Sequence, residues 1–164
     1  MELQIVGSRE VRAHLDRMDD ATRGRTLVRA LVSGALIIQN AAKQLAPYRT
    51  GNLRRSIHIG GRSDLAHDFE NTTGGELEPP RISTNEVQVF VGTNVEYARQ
   101  REYGGVIEAR NAPWLVWQDY EGNWHRARRV EQAATPFLRP ALDENRDAVR
   151  REVAAALRQL IGLG

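Results

Sequence analysis

From Thr22 to Leu45 the apolar residues Leu27, Leu31, Gly34/Ala35, Ile38, Ala41/Ala42 and Leu45 return at three- and four-residue steps. That spacing lays one apolar stripe along a helix about 36 Å long. Pro47 stops it, because the residue before a proline is pushed out of helical geometry. A second stripe, Leu142, Val149, Val153, Ala156, Leu157, Leu160 and Ile161, runs toward the far end of the chain. There Asp143, Glu144 and Asp147 come first and Arg150, Arg151 and Arg158 later, an order that suits the helix dipole.

The segments between the two stripes are shorter. Residues 1–21 carry a weaker periodicity (Val6, Val11, Leu15, Met18) and read as an N-terminal arm or strand followed by a short helix. Thr50 and Gly51 form a turn, after which Leu53 starts a helical turn that packs Ile57 inward and a strand begins over Ser56 to Gly60. Residues 60–85, with Gly-Gly, Thr-Thr-Gly-Gly and Pro-Pro, read as a long polar loop whose ends are joined by neighbouring strands. Glu86 to Gly92 alternates, with Val87, Val89 and Val91 on one face, and is the clearest strand. Tyr97 to Tyr103 reads as a short helix ended by Gly104-Gly105. Trp114–Trp117 and Trp124–Ala127 then flank turn residues 119–123 as a hairpin. All three tryptophans lie in that hairpin and are expected to pack it onto the core; an exposed cluster would instead mark a contact surface. Two long helices laid on one face of a mainly antiparallel sheet of about four strands make the expected class α+β.

Composition bounds the function. A chain of 164 residues suits a single domain over 1–164, and the absence of cysteine excludes disulfides, thiolate metal sites and a cysteine nucleophile. The longest apolar run is Ala35–Ile38, far short of the roughly 18 residues of a membrane span. With no secretory signal pattern at the N-terminus, the expectation is a soluble protein made inside a cell, with no membrane partner. Of the 23 basic residues only Lys43 is a lysine, and arginine favours bidentate contacts at interfaces. Residues 1–63 hold 11 basic and 5 acidic groups, whereas 64–164 hold 12 and 16. A molecule divided in this way can pair with copies of itself as readily as with nucleic acid.

No catalytic arrangement emerges, and no cofactor is expected. His14, His58, His67 and His125 stand far apart, without metal-ligand spacing, and read as surface or loop residues. No nucleophile elbow, phosphate-binding loop or dinucleotide fingerprint is present, and Gly60-Gly61 and Gly74-Gly75 lack the strand–turn–helix context such a loop needs. Glu96 and Glu102, interleaved with Arg99 and Arg101, look like a salt-bridged surface or interface helix rather than an acid pair. Arg49, Arg54, Arg55 and Arg62 form a basic patch that fits phosphates without sequence readout, or equally the acidic part of a neighbouring copy.

Three ordered blocks carry a resemblance. They are Pro47-x-x-Thr50-Gly51-x-Leu53-Arg54-x-Ser56-Ile57; Val91-Gly92-Thr93 running to Tyr97-Ala98 and Glu102-Tyr103-Gly104; and Pro136-Phe137-Leu138-Arg139-Pro140-Ala141. Over about residues 27–161 the chain resembles the tail-completion, or head–tail joining, proteins of long-tailed double-stranded DNA bacteriophages, typified by the gene-ten product of a lambda-like coliphage. The resemblance implies a non-enzymatic virion protein, made in the bacterial cytoplasm, that closes into a homo-oligomeric ring, commonly a hexamer. Such a ring sits at the neck between the head-closure or connector proteins and the tail terminator or tail tube, with genomic DNA passing through its lumen. The enlarged 60–85 segment and the tryptophan-rich hairpin depart from the usual pattern. A tail terminator or another connector ring is the alternative within the class, and a non-specific nucleic-acid-binding protein is the alternative outside it. In the residues themselves, Pro136 and Pro140 bracket Phe137 and Leu138 as an extended segment that hands an anchor to the core.

Overall fold

In the computed structural model, residues 9–60, 80–82, 86–119 and 121–162 are described. Helix α1 (Arg9–Leu15) leads into α2 (Asp20–Leu45). The second helix starts two residues before Thr22 because Asp19 caps it, its carboxylate accepting the Thr22 amide at 2.9 Å. Hydrogen bonds from Thr22, the side chain first and then the amide, hold the Asp19 carboxyl below the ordinary carboxylate range. At the other end Ala46 turns extended ahead of Pro47, as the proline requires.

The long partner of α2 is α5 (Leu138–Leu160). Their approach is close at Gly34, where a side chain's first carbon would lie 2.6 Å from Val153 Cγ2 and 3.0 Å from Val149 Cγ1. Val11 of α1, Ala30 of α2 and Val149, Val153, Leu157 and Ile161 form one buried cluster, with Leu27, Leu31 and Ile38 packed against it. Leu160, expected on the stripe, is exposed.

A second cluster gathers Ala42, Ala46, Leu53, Ile57, Val95, Ala98, Phe137 and Ala141. It is assembled from the end of α2, the short helix α3 (Asn52–Ser56), the start of helix α4 (Ala98–Tyr103) and the first turn of α5. Ile57 and Phe137 are fully buried within it. The helical turn after Gly51 and the inward Ile57 therefore match expectation. Pro140 does not close an extended segment, however: α5 already begins at Leu138, and Pro140 occupies its first turn, where a missing N–H costs no helical bond.

The α+β class holds, and among the described residues the strands pair two by two, each pair antiparallel. Strand β1 (His58–Ile59) pairs with β4 (Val91–Gly92), and β2 (Arg81–Ile82) pairs with β3 (Val87–Gln88). The continuous strand expected over Glu86–Gly92 is thus split at Val89–Phe90, its two halves serving different partners and only Gly92 fully buried. Of the expected 60–85 loop, 61–79 and 83–85 lie outside the described residues, as do Arg62, His67 and 1–8 of the N-terminal arm.

The remaining strands form a feature that the sequence reading caught only in part. Strand β5 (Gly105–Glu108) pairs with β8 (Arg129–Gln132), and β6 (Leu115–Gln118) with β7 (Trp124–Ala127). The chain runs out through β5 and β6, turns at 119–123, and returns through β7 and β8; Ala109 N–H donates to the Arg128 carbonyl at 3.0 Å between the two ladders. Residues 110–114 bulge from the outgoing side. The result is a single two-stranded ribbon whose returning strand, Trp124 to Gln132, spans about 30 Å.

Candidate functional site

The motif residues serve the second core cluster and its caps. Leu53 and Phe137 fill it, Gly51 takes φ +77° with Tyr48 against its open side, and Thr50 Oγ1 accepts the Asn52 amide at 3.4 Å. The Ser56 hydroxyl lies 2.8 Å from the Leu53 carbonyl and 2.6 Å from Thr93 Oγ1, beside the rung that pairs His58 with Gly92. Tyr97 keeps its ring half-buried while its hydroxyl accepts from Asn52 Nδ2 at 3.4 Å. Pro47 is half-buried and Pro136 exposed. His58, expected at the surface or in a loop, is instead buried, its Nδ1–H donating to the Ser56 carbonyl at 2.6 Å.

Glu102 differs most from expectation. It is 6% exposed, and its carboxylate faces backbone amides. Its Oε2 accepts the amides of Phe137 (2.8 Å) and Leu138 (2.9 Å), and its Oε1 accepts that of Arg139 (2.9 Å). Phe137 stands at the N-cap position of α5 and offers no side-chain acceptor, so a carboxylate 35 residues earlier supplies the cap. Its negative charge also meets the positive end of the α5 dipole. Two residues later Gly104 closes α4 at φ +69°, its amide bonded to the Gln100 carbonyl at 2.8 Å. Thr135 N–H donates to the Arg101 carbonyl at 2.6 Å. Both strands of the ribbon are thereby fixed where they leave the body.

The basic patch divides. Arg54 is half-buried and caps the end of α2, Nε donating to the Ala46 carbonyl at 3.0 Å and Nη2 to the Gln44 carbonyl at 3.4 Å, with its guanidinium over the Tyr48 ring. Arg55 and Arg49 are exposed, and Arg49 Nη2 donates to the Gln118 carbonyl of β6 at 3.5 Å, tying the ribbon to the end of α2. Arg139 extends over the Tyr103 ring, 5.7 Å from its centroid.

The tryptophans do not pack the hairpin onto the core. Trp124 is 72% exposed, Trp114 40% and Trp117 38%, and Val116 beside them is 63% exposed. The ladder register explains this. Leu115 and Ala127, with Trp117 and His125, share one face; Trp117 and His125 stack there at 5.4 Å between centroids. Trp114, Val116 and Trp124 share the other face with Arg126 and Arg128, whose guanidinium groups both lie over the Trp114 ring. At the tip Asp119 accepts from His125 Nε2 (2.7 Å) and from the Asn123 and Glu121 amides (2.9 Å each). The His125 bond first, then the Asn123 amide, holds the Asp119 carboxyl well below the usual carboxylate range.

Among the described residues no group of histidine and carboxylate side chains is placed to hold a metal ion, and no helix is long and apolar enough to cross a membrane. The fold therefore defines an α+β protein whose motif residues are spent on a core and its caps and whose tryptophans face outward. The chain matches, over residues 9–104, a family model described as "Bacteriophage HK97-gp10, putative tail-component". That is more than half of the chain, which belongs to this HK97-gp10-like family of phage tail components, proteins of the virion. No curated protein and no solved structure matches it. The family match stops at Gly104, the residue at which the ribbon leaves the body.

The sequence reading missed β5, β8 and the role of Glu102. Arg129-Val130-Glu131-Gln132 holds a single apolar residue and so gives no alternation signal for β8, whereas a helix opening on Pro-Phe-Leu-Arg-Pro without Ser, Thr, Asp or Asn at its cap needs an acceptor from elsewhere.

Proposed function

We propose that this tail component is a neck protein: a non-enzymatic homo-oligomeric ring, with six copies the expected number, that joins the finished tail to the DNA-filled head. The observation that carries the reading is the ribbon. It is an appendage on a phage tail-component fold that leaves tryptophan and valine in water, and large aromatic groups are kept outside at sites of protein contact. The three blocks shared with tail-completion proteins support it, and so does the division into a basic and an acidic part. A ring uses two different patches on each copy, which unlike charges suit. Its neighbours would be the head-closure or connector proteins on one side and the tail terminator or tail tube on the other. Arg49 and Arg55 are the exposed cations of the patch that would face passing DNA or a neighbouring copy.

Cryo-electron microscopy of particles tests this directly. Density for the chain as a closed ring at the head–tail junction is the expected result, and density along the tail tube, at its distal end or nowhere in the particle refutes it. Duplex DNA binding by the isolated protein, falling steeply with added salt, would favour the nucleic-acid-binding alternative.

A further inference from the structure

We infer that the ribbon is a clasp: the tip of one copy, led by Trp124, seats in the groove between α4 and β5 of the next copy. The inference rests on the ring reading above and names the contact that would build it. An isolated two-stranded ribbon is at best marginally stable in water, and this one turns a strip of Trp114, Val116 and Trp124 to solvent. Near its tip the ribbon meets the body through the hydrogen bond from Arg49 to the Gln118 carbonyl, at the long limit of 3.5 Å. A surface outside the chain's own core is needed to cover the strip.

The matching surface lies at the ribbon's root. Arg99, Gln100, Tyr103, Gly104, Gly105 and Val106 line an open groove. Tyr103 is 65% exposed and Val106 is exposed as well, so the groove offers an aromatic face and an aliphatic floor for an indole. Its charge is also complementary to the tip. Arg99 lines the groove and Arg139 covers Tyr103, with Glu131 across the ladder from Val106, whereas the tip carries Asp119 and Glu121. Tip and groove are different patches of one chain, so each copy gives one and receives one; repeated with rotation, that contact closes a ring.

Because the chain has no cysteine, the contact can be read by cross-linking full-length protein. Gln100→Cys, in the groove wall, and Asn123→Cys, beside Trp124 at the tip, are placed in one chain, and a short bis-maleimide is added under conditions where the unmodified protein self-associates. The expected product is a ladder of covalent oligomers, while an equimolar mixture of the two single variants stops at dimers. Glu121→Arg or Arg99→Glu alone weakens self-association about tenfold, and combining them in one chain recovers most of the loss. Copies that assemble without linking 100 to 123, or that link them only within one chain, overturn the clasp and leave the ring standing. A chain that stays monomeric at every concentration and forms no ring in particles overturns the ring and the clasp together.

Discussion

Replacing Glu102 with alanine removes the acceptor shared by three successive amides at the start of α5. Phe137 is fully buried, so its orphaned N–H loses about 1–3 kcal/mol. Leu138 and Arg139 sit nearer to water, which takes over their amides at about 0.5 kcal/mol each, and losing the charge at the helix N-terminus adds about 0.5–1 kcal/mol. Together these give about 2.5–5 kcal/mol, or a fall in Tm of roughly 5–20 °C for a chain of this size. Glu102→Gln keeps one carbonyl oxygen for two of the three amides but turns an NH2 toward the third, so its loss is about half as large. Urea unfolding followed by far-UV circular dichroism measures both, with the m-value checking that the unfolded state is unchanged. An alanine variant within about 0.5 kcal/mol of the parent would refute the cap. A glutamine variant as stable as the parent would show that the charge contributes nothing.

Gly34→Ala gains about 1 kcal/mol of helix propensity but forces a carbon to within 2.6 Å of Val153 Cγ2, an overpacking worth about 1–3 kcal/mol, so a net loss near 1 kcal/mol is expected. Adding Val153→Ala should show favourable coupling in a double-mutant cycle, and purely additive losses would sink the close-approach argument. Gly104→Ala should lose about 1–3 kcal/mol, since φ +69° with ψ −171° is essentially a glycine conformation and the added carbon meets the Gln132 carbonyl and Ala134 amide at 2.9 Å; thermal denaturation checks it. Because Asp119 is depressed in the folded chain, its tip bonds contribute above its unfolded value of about 4 and are lost as pH falls through the lower folded value. The Asp119 side-chain carboxyl NMR signal should therefore keep the position of an ionised group down to about pH 4 and move to that of the acid only below it, and protonation of this carboxyl above about pH 5 would contradict the assignment. Trp124→Ala should leave monomer stability unchanged while weakening self-association about tenfold, read by unfolding and sedimentation.

What the sequence made legible follows from periodicity and punctuation. Helix α2 is readable because its stripe from Leu27 to Leu45 repeats over about five turns and Pro47 ends it, and the hairpin is readable from the Asp-Tyr-Glu-Gly-Asn turn between two tryptophan-bearing runs. The strand over Glu86–Gly92 was read as one because alternation reports a pleat, not a partner; the change from β2 to β1 across Val89–Phe90 is a tertiary choice. The tryptophans were misplaced for a related reason: hydrophobicity says that a side chain gains by leaving water, not which molecule covers it. Glu102 was read from its neighbours Arg99 and Arg101, whereas its partners are amides 35 residues away.

The pinch at the foot of the ribbon has a mechanical consequence. Outgoing and returning strands are anchored within a few residues of one another, by Glu102 on Phe137–Arg139 and by Thr135 on Arg101. Tension applied at the tip is therefore divided between both strands and delivered to one knot at the head of α5, rather than unzipping the ladder from a loose end. From there it passes along the axis of a 23-residue helix that lies against α2. In the ring proposed above, a pull from a neighbouring copy would by this route be borne by the helix pair at the core rather than by the ladder of the ribbon.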